Sequence, residues 1–162
     1  MEKLFYYRFP GTPIGELGII EEDEKITWIF FRDRENHPKH SNKIFITETA
    51  LIKKTSVQLN EYFSRKRKSF DIPLLLRGTD FQLSVWQSLQ KIPYGKTCSY
   101  AEIAAMAGNP KACRAAGMAN NQNPAVIIIP CHRVIGSNGS LTGYGGGLEI
   151  KKYLLALEKK CN

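Results

Sequence analysis

The hydrophobic pattern of this 162-residue chain divides near residue 77, with strand and helix patterns mixed before it and short, well-punctuated helices after it. Before that point, Gly15-Glu16-Leu17-Gly18-Ile19-Ile20 and Ile26-Thr27-Trp28-Ile29-Phe30-Phe31 read as strands flanking an acidic turn, Glu21 to Glu24, and so as a hairpin. Leu51, Ile52, Leu59, Tyr62 and Phe63 recur at helical spacing after Thr47, and Phe70, Ile72 and Leu74 alternate as a last strand. The cluster Arg65-Lys66-Arg67-Lys68, between helix and strand patterns, reads as a solvated loop. The first half is therefore a small α+β scaffold without a chemical constellation of its own.

After residue 77 the signals are short, well-punctuated helices. Thr79-Asp80-Phe81-Gln82 caps a helix carrying Phe81, Val85, Trp86 and Leu89, which stops at Pro93-Tyr94-Gly95. Ser99-Tyr100-Ala101-Glu102 is a capping box opening a helix that ends at Gly108. Asn109 caps the next helix, Pro110 suits its first turn, and Lys111 to Ala119 continue it. The last helix runs from Leu148 to Lys159.

Two short helices joined by a glycine-containing turn make a candidate helix-turn-helix. Charge favours that reading. Residues 1–76 carry 13 Lys and Arg against 11 Asp and Glu, whereas residues 77–162 carry 10 against 4, so the positive balance sits in the helical half. Clustered positive charge with few acids attracts a polyanion. The second helix of the pair presents Ala112, Cys113, Ala115, Ala116, Gly117 and Ala119, with Arg114 as its one long polar side chain. Small residues let a backbone approach a groove wall, and one arginine could enter the base stack. Equally, small residues serve tight packing within the protein.

Chemistry concentrates at Pro130-Cys131-His132-Arg133-Val134, just after the β-branched run Val126-Ile127-Ile128-Ile129. That run reads as a buried strand, with the following turn exposing a thiol beside an imidazole. Glu158 follows Leu154 and Leu155 by four and three residues, so its carboxylate lies on or beside an apolar helix face and needs a partner. A surface pairing with Lys151 or Lys152 is one answer. The other is a Cys131, His132, Glu158 relay, in which the carboxylate orients the imidazole and the thiol's acidity rises from its free value near 8.5. Between Ile135 and Gly147, six glycines in thirteen residues would let a flat ligand reach backbone amides beside Cys131. No Walker pattern is present for a phosphate loop.

Other classes fit poorly. The cysteines Cys98, Cys113, Cys131 and Cys161 form no Cys-x-x-Cys pair, and His37, His40 and His132 share no ligand spacing with them, so neither a disulfide framework nor a metal site is expected. With neither a signal peptide nor an apolar run of membrane length, the expected location is cytoplasmic, or nuclear in a eukaryote.

Pro130-Cys131-His132-Arg133-Val134, with Ile92-Pro93-Tyr94-Gly95, Ser99-Tyr100, Gly108-Asn109-Pro110, Arg114, Asn123-Pro124, Gly143-Tyr144 and Leu154-Leu155-Ala156-Leu157-Glu158 in order and spacing, resembles the O6-alkylguanine-DNA alkyltransferase family. The match covers residues 78–162, with a looser fit before them. The resemblance implies an α+β fold with a ribonuclease-H-like scaffold at 1–77. A DNA-binding alkyltransferase domain at 78–162 would follow, mostly helical, with a winged-helix-like helix-turn-helix. It implies repair of O6-alkylguanine, and of O4-alkylthymine, by irreversible single-turnover transfer of the alkyl group to a cysteine after a minor-groove helix-turn-helix flips the nucleotide out of the duplex. No cofactor or metal is implied. The partner would be alkylated double-stranded DNA, with no membrane, and the protein a monomer, cooperative assembly on DNA being left open.

By the same resemblance Cys131 would be the acceptor, His132 its base through a bridging water, and Glu158 the group orienting that histidine. Asn123 would tie the turn to the active-site strand. Tyr100 would protonate the departing guanine and help rotate the nucleotide's phosphate. Backbone groups at Cys131 and Val134 would recognise the guanine amino group, with Tyr144, Gly145 and Gly146 across from them. Arg114 would fill the gap in the duplex, with Ala112, Cys113, Ala115 and Gly117 along the groove. Some members carry a proline at Val126, a serine at Gly145 and a large aromatic residue at Gly146. Gly146 argues for a roomy pocket that accepts benzylated guanine. Cys98 and Cys113 are expected as fillers. A non-catalytic lesion sensor on this fold would lack Cys131, and a thiol hydrolase would turn over repeatedly.

Overall fold

The structure is a computed structural model describing residues 3–33 and 44–159. His37, His40 and Cys161 lie outside the described residues. The chain forms two compact units, Met1–Leu76 and Arg77–Asn162.

In the first unit a four-stranded sheet has the order β3-β2-β1-β4. Strands β1 (Leu4–Thr12), β2 (Gly15–Glu22) and β3 (Lys25–Phe31) are antiparallel, while β4 (Ile44–Ile46) runs parallel to β1. The acidic turn is tighter than expected. Glu21 and Glu22 belong to β2, and the turn is Asp23-Glu24 alone, at φ 49° and 57°, with Glu22 opposite Lys25. Two consecutive positive φ values give the turn whose twist matches the flanking strands. Helix α1 (Ala50–Phe63) is capped by Thr49, which accepts from the Ile52 amide at 3.1 Å. Its Ile52, Leu59 and Tyr62 are fully buried with Leu17, Ile19, Ile26 and Ile29 of the sheet.

Phe70, Ile72 and Leu74 do not form a strand. Leu74 makes a single parallel bridge to Ile26. Pro73 accepts from the Ile26 amide but has no N–H to extend the ladder, which confines the contact to one bridge. In the segment Arg65 to Lys68, Arg65, Lys66 and Lys68 are exposed and Arg67 pairs with Glu61 at 2.6 Å.

The second unit holds α2 (Asp80–Leu89), β5 (Cys98–Ser99), α3 (Tyr100–Met106), α4 (Cys113–Asn121), β6 (Val134–Ile135) and α5 (Leu148–Lys159). Both capping boxes are present, Thr79 with Gln82 and Ser99 with Glu102. Helix α2 ends at Leu89, before Pro93. The short parallel pair β5-β6 sets Cys98 beside Val134 and Ser99 beside Ile135, so the start of α3 is tied to the end of the cysteine turn. Trp86 is buried and donates its indole N–H to the Ala119 carbonyl at 2.9 Å, fixing α4 against α2.

Helix α4 starts later than Lys111. Asn109 instead uses its side chain to accept from the Lys111 amide at 3.2 Å, a local turn that competes with helix, and Ala112 takes the cap position without a side-chain bond. The small residues divide by face. Ala116 and Ala119 are buried in the core, while Cys113, Arg114 and Ala115 are exposed.

Candidate active site

The run Val126-Ile127-Ile128-Ile129 is buried as expected but is not a strand. The Ile128 amide bonds to the Val126 carbonyl at 2.9 Å across Ile127, which sits at φ 74°, a left-handed value that a β-branched residue adopts only under strain. Three residues on, the Cys131 amide bonds to the Ile129 carbonyl at 2.8 Å across Pro130, at φ −82° and ψ 63°. Two consecutive three-residue turns thus replace the extended run and deliver Cys131 into a single 3-10 turn, Cys131–Arg133. Asn123 secures this coil from both ends. Its side chain donates to the Ile129 carbonyl at 2.6 Å and accepts from the Ala125 amide at 2.9 Å.

Cys131 is not exposed by the turn; it is 3% accessible. Burial pushes its thiol up to about 11, a rise that Asn123, Lys151 and Tyr144 offset only in part. The resting sulfur is therefore a neutral thiol, and the expected increase in acidity is not present. Buried neutral cysteines are inert toward casual electrophiles.

A buried polar cluster is built around Glu158. His132 Nε2 is 2.7 Å from Glu158 Oε1, both residues being buried. Arg133 grips the same carboxylate with two donors, Nε to Oε2 and Nη2 to Oε1, each at 2.9 Å, and its Nη1 donates to the Ile92 carbonyl at 2.7 Å. The Gly95 amide adds a bond to Oε2 at 3.1 Å. Gly95 has φ 77°, and a Cβ there would lie 3.3 Å from the Glu158 carbonyl, so glycine suits both the turn and the approach. Burial would raise the Glu158 carboxyl, but His132 and Arg133 outweigh it and hold the group at about 2. Burial lowers the His132 imidazole from its ordinary value despite Glu158, so the ring is neutral. An ionised carboxylate at Nε2 assigns the proton to that nitrogen and leaves Nδ1 as the basic one.

Neither lysine considered as a partner reaches Glu158. Lys152 pairs with Glu149 at 3.3 Å, and Lys151, 0% exposed, donates to the Thr142 carbonyl at 3.0 Å. Arg133 is the partner that sequence reasoning overlooked, although it adjoins His132 and a buried carboxylate calls for a fork of donors.

The remaining site residues frame the sulfur's surroundings. Tyr100, the first residue of α3, donates its hydroxyl to the Thr142 carbonyl at 2.8 Å and lies within electrostatic reach of Cys131. The Tyr144 side chain faces the sulfur from the glycine-rich loop, and burial pushes its phenol well up. That loop is held by bonds from Gly136 to Ser140 and from Gly147 to Tyr144. Val134 is fully buried in β6, Gly146 is buried and Gly145 is exposed. Arg114, Cys113 and Ala115 are exposed on α4, and Ala112 and Gly117 are half-buried. Gly117 connects the helix to the site, since a Cβ there would touch the Tyr100 ring at 3.6 Å.

The second unit is thus a helical domain built around a buried cysteine, with the helix pair α3 and α4 beside it, and comparison with known proteins identifies the class. Residues 80–160 match the model described as 6-O-methylguanine DNA methyltransferase, DNA binding domain, and residues 5–76 the model described as its ribonuclease-like domain. The chain belongs to the methylated-DNA–protein-cysteine methyltransferase family, a family of enzymes. The enzyme of that name from Methanosarcina acetivorans is 46% identical over 161 residues, covering 96% of this chain and 99% of its own. The constitutive enzyme of Bacillus subtilis is 45% identical, with 95% of each chain covered. Among solved structures, Mycobacterium tuberculosis OGT in complex with DNA has a TM-score of 0.88 at 43% identity, covering 96% of this chain and 93% of that one.

Proposed function

We propose that this protein repairs DNA by moving the alkyl group of O6-alkylguanine, and of O4-alkylthymine, onto Cys131 once and irreversibly. The observation that carries the reading is a buried cysteine, Cys131, followed in the chain by His132, whose imidazole meets Glu158, a carboxylate also held by Arg133 and Gly95. A relative of 43% identity crystallised with DNA supports the partner.

A lesion inside a duplex is out of reach, so the nucleotide is rotated out through the minor groove at a cost of about a few kcal/mol, less when damage already weakens the pair. Arg114, exposed on α4 among small residues, fills the vacated stack. In the pocket, Val134 and the backbone of Cys131 face one edge of the base, and Tyr144, Gly145 and Gly146 the other. The Cys131 thiol passes its proton to Nδ1 of His132 through a water while the sulfur attacks the alkyl carbon. The S–C bond forms as the C–O6 bond breaks, and its electron pair leaves with guanine, which takes a proton from the Tyr100 hydroxyl. The proton held on His132 restores the phenol through solvent, so the net transfer is one proton from sulfur to guanine. Glu158 stabilises the transient imidazolium.

A neutral resting thiol fits this chemistry. The sulfur stays protected until a base fills the pocket, and the thioether formed has no route back by hydrolysis. One molecule thus serves one lesion, without a cofactor.

Mixing the protein with a duplex containing O6-methylguanine and weighing the peptide holding Cys131 tests this directly. The expected result is a gain of one methyl group in the wild type, one equivalent at most, and none in Cys131→Ser. An unmodified peptide, or repeated turnover by one molecule, would refute it.

A further inference from the structure

Lys151 is an unusual residue in this chain, a lysine with no accessible surface in the middle of α5. Burying an ammonium is costly without compensation, and the visible compensation is small. Its Nζ donates to the Thr142 carbonyl at 3.0 Å and lies 5.8 Å from the centre of the Tyr100 ring. The same carbonyl accepts the Tyr100 hydroxyl at 2.8 Å. Thr142 is therefore shared between a residue that must stay and one that, in the reaction above, must let go.

We propose that Lys151 is a positioning residue for alkyl transfer: its buried ammonium supports the developing Cys131 thiolate and keeps the Thr142 carbonyl anchored when the Tyr100 hydroxyl turns to the base. The inference rests on the alkyl-transfer reading of Cys131. A shared hydrogen-bond acceptor carries it, and charge supports it. Tyr100 cannot donate to a base while its proton is committed to Thr142, and releasing it would leave a carbonyl of the glycine-rich loop without that donor. Lys151 supplies the remaining bond, so the loop holds its place during the swing. Charge is the supporting feature. The groups that act on the sulfur are Asn123 from the turn before it, Tyr100 from α3, Tyr144 from the loop and Lys151 from α5. Arg133 and Glu158 are engaged with each other. Lys151 acts on the sulfur as the favourable positive charge, and the two attract one another, as the effect of each on the other's titration reflects.

The test compares wild type, Lys151→Met and Lys151→Arg by the second-order rate at which O6-benzylguanine benzylates Cys131, followed by peptide mass from pH 6.5 to 9.5. Lys151→Met is expected to be about tenfold slower at neutral pH, its rate profile displaced upward by about one pH unit, which is the same factor. Lys151→Arg keeps the charge and is expected to recover most of the rate. Thermal midpoints establish that each variant is folded. Equal rates in all three, or a loss in Lys151→Met with an unshifted profile that Lys151→Arg shares in full, would overturn the proposal. Should the variants not fold, wild-type protein labelled with ¹⁵N-lysine answers the question. One solvent-protected ammonium resonance should move when Cys131 is alkylated, and a spectrum without such a change would overturn the proposal equally. A wild type that is never alkylated, by benzylguanine or by lesion-bearing duplex, would instead sink the underlying reaction.

Discussion

Glu158 collects donors from His132, Arg133 and Gly95, three positions far from it in sequence, and its negative charge strengthens each bond. Replacing it with glutamine keeps the shape and removes the charge, leaving Arg133 buried opposite an amide that must donate where it formerly accepted. Breaking a buried pair in this way costs about 3–5 kcal/mol. Glu158→Gln is therefore expected to lower the denaturation midpoint of the second unit sharply and to slow Cys131 alkylation, because the His132 cation loses its counter-charge. Denaturant unfolding and the mass-based alkylation rate check both, and wild-type values in either would contradict the account. At this scale the sequence was informative about residue types. A cysteine beside a histidine, and a carboxylate on an apolar helix face, were visible one by one. Arg133 and Lys151 were not, because whether a cation points to solvent or into a core depends on what the fold packs against it.

Among the elements, those with local causes were legible. Each capping box is a reciprocal bond between residues three apart, so Thr79 with Gln82 and Ser99 with Glu102 could be read directly. The segment from Val126 to Ile129 misled for the opposite reason. Its β-branched residues favour a strand, but the Asn123 bonds at both ends and the turns at Ile127 and Pro130 coil it, and that strain is sustained by surrounding packing. Helix α4 combines both cases. Its small residues served packing on one face and left Arg114 exposed on the other. If Arg114 fills the stack, Arg114→Ala should slow repair of O6-methylguanine in duplex by about tenfold or more while leaving benzylation by the free base nearly unchanged, since only the duplex opens a gap. Parallel losses on both substrates would remove the insertion role.

Titration of the second unit as a whole follows from burying three ionisable groups together. Glu158 is depressed from 4.5 to about 2, so the stability it contributes is present above pH 4.5 and is lost as pH falls toward 2. His132 is also depressed, so below about 6.5 the unfolded chain takes up a proton that the folded one refuses, and stability falls in the same direction. Cys131 is raised from 9.0 to about 11, so stability declines as pH climbs from 9. The expected profile is a dome, highest between about pH 6.5 and 9. Urea midpoints followed by Trp86 fluorescence in a Trp28→Phe background would trace it, and Cys131→Ser should remove the decline that begins near pH 9 and leave the later one, above pH 10, to the buried Tyr144 phenol. A midpoint that holds level from pH 7 to 4 would rule out the buried cluster as drawn.

What the sequence determined alone were features whose physics acts within a few residues or through side-chain identity. These include the hairpin of β2 and β3, both capping boxes, the span of α5, and the family carried by Pro130-Cys131-His132-Arg133-Val134 with its accompanying motifs. Only the tertiary structure decided that the sulfur is buried and neutral, that Arg133 rather than a lysine holds Glu158, and that Lys151 faces inward. Those outcomes depend on desolvation and on contacts between residues tens of positions apart, quantities that exist only once the chain has closed on itself.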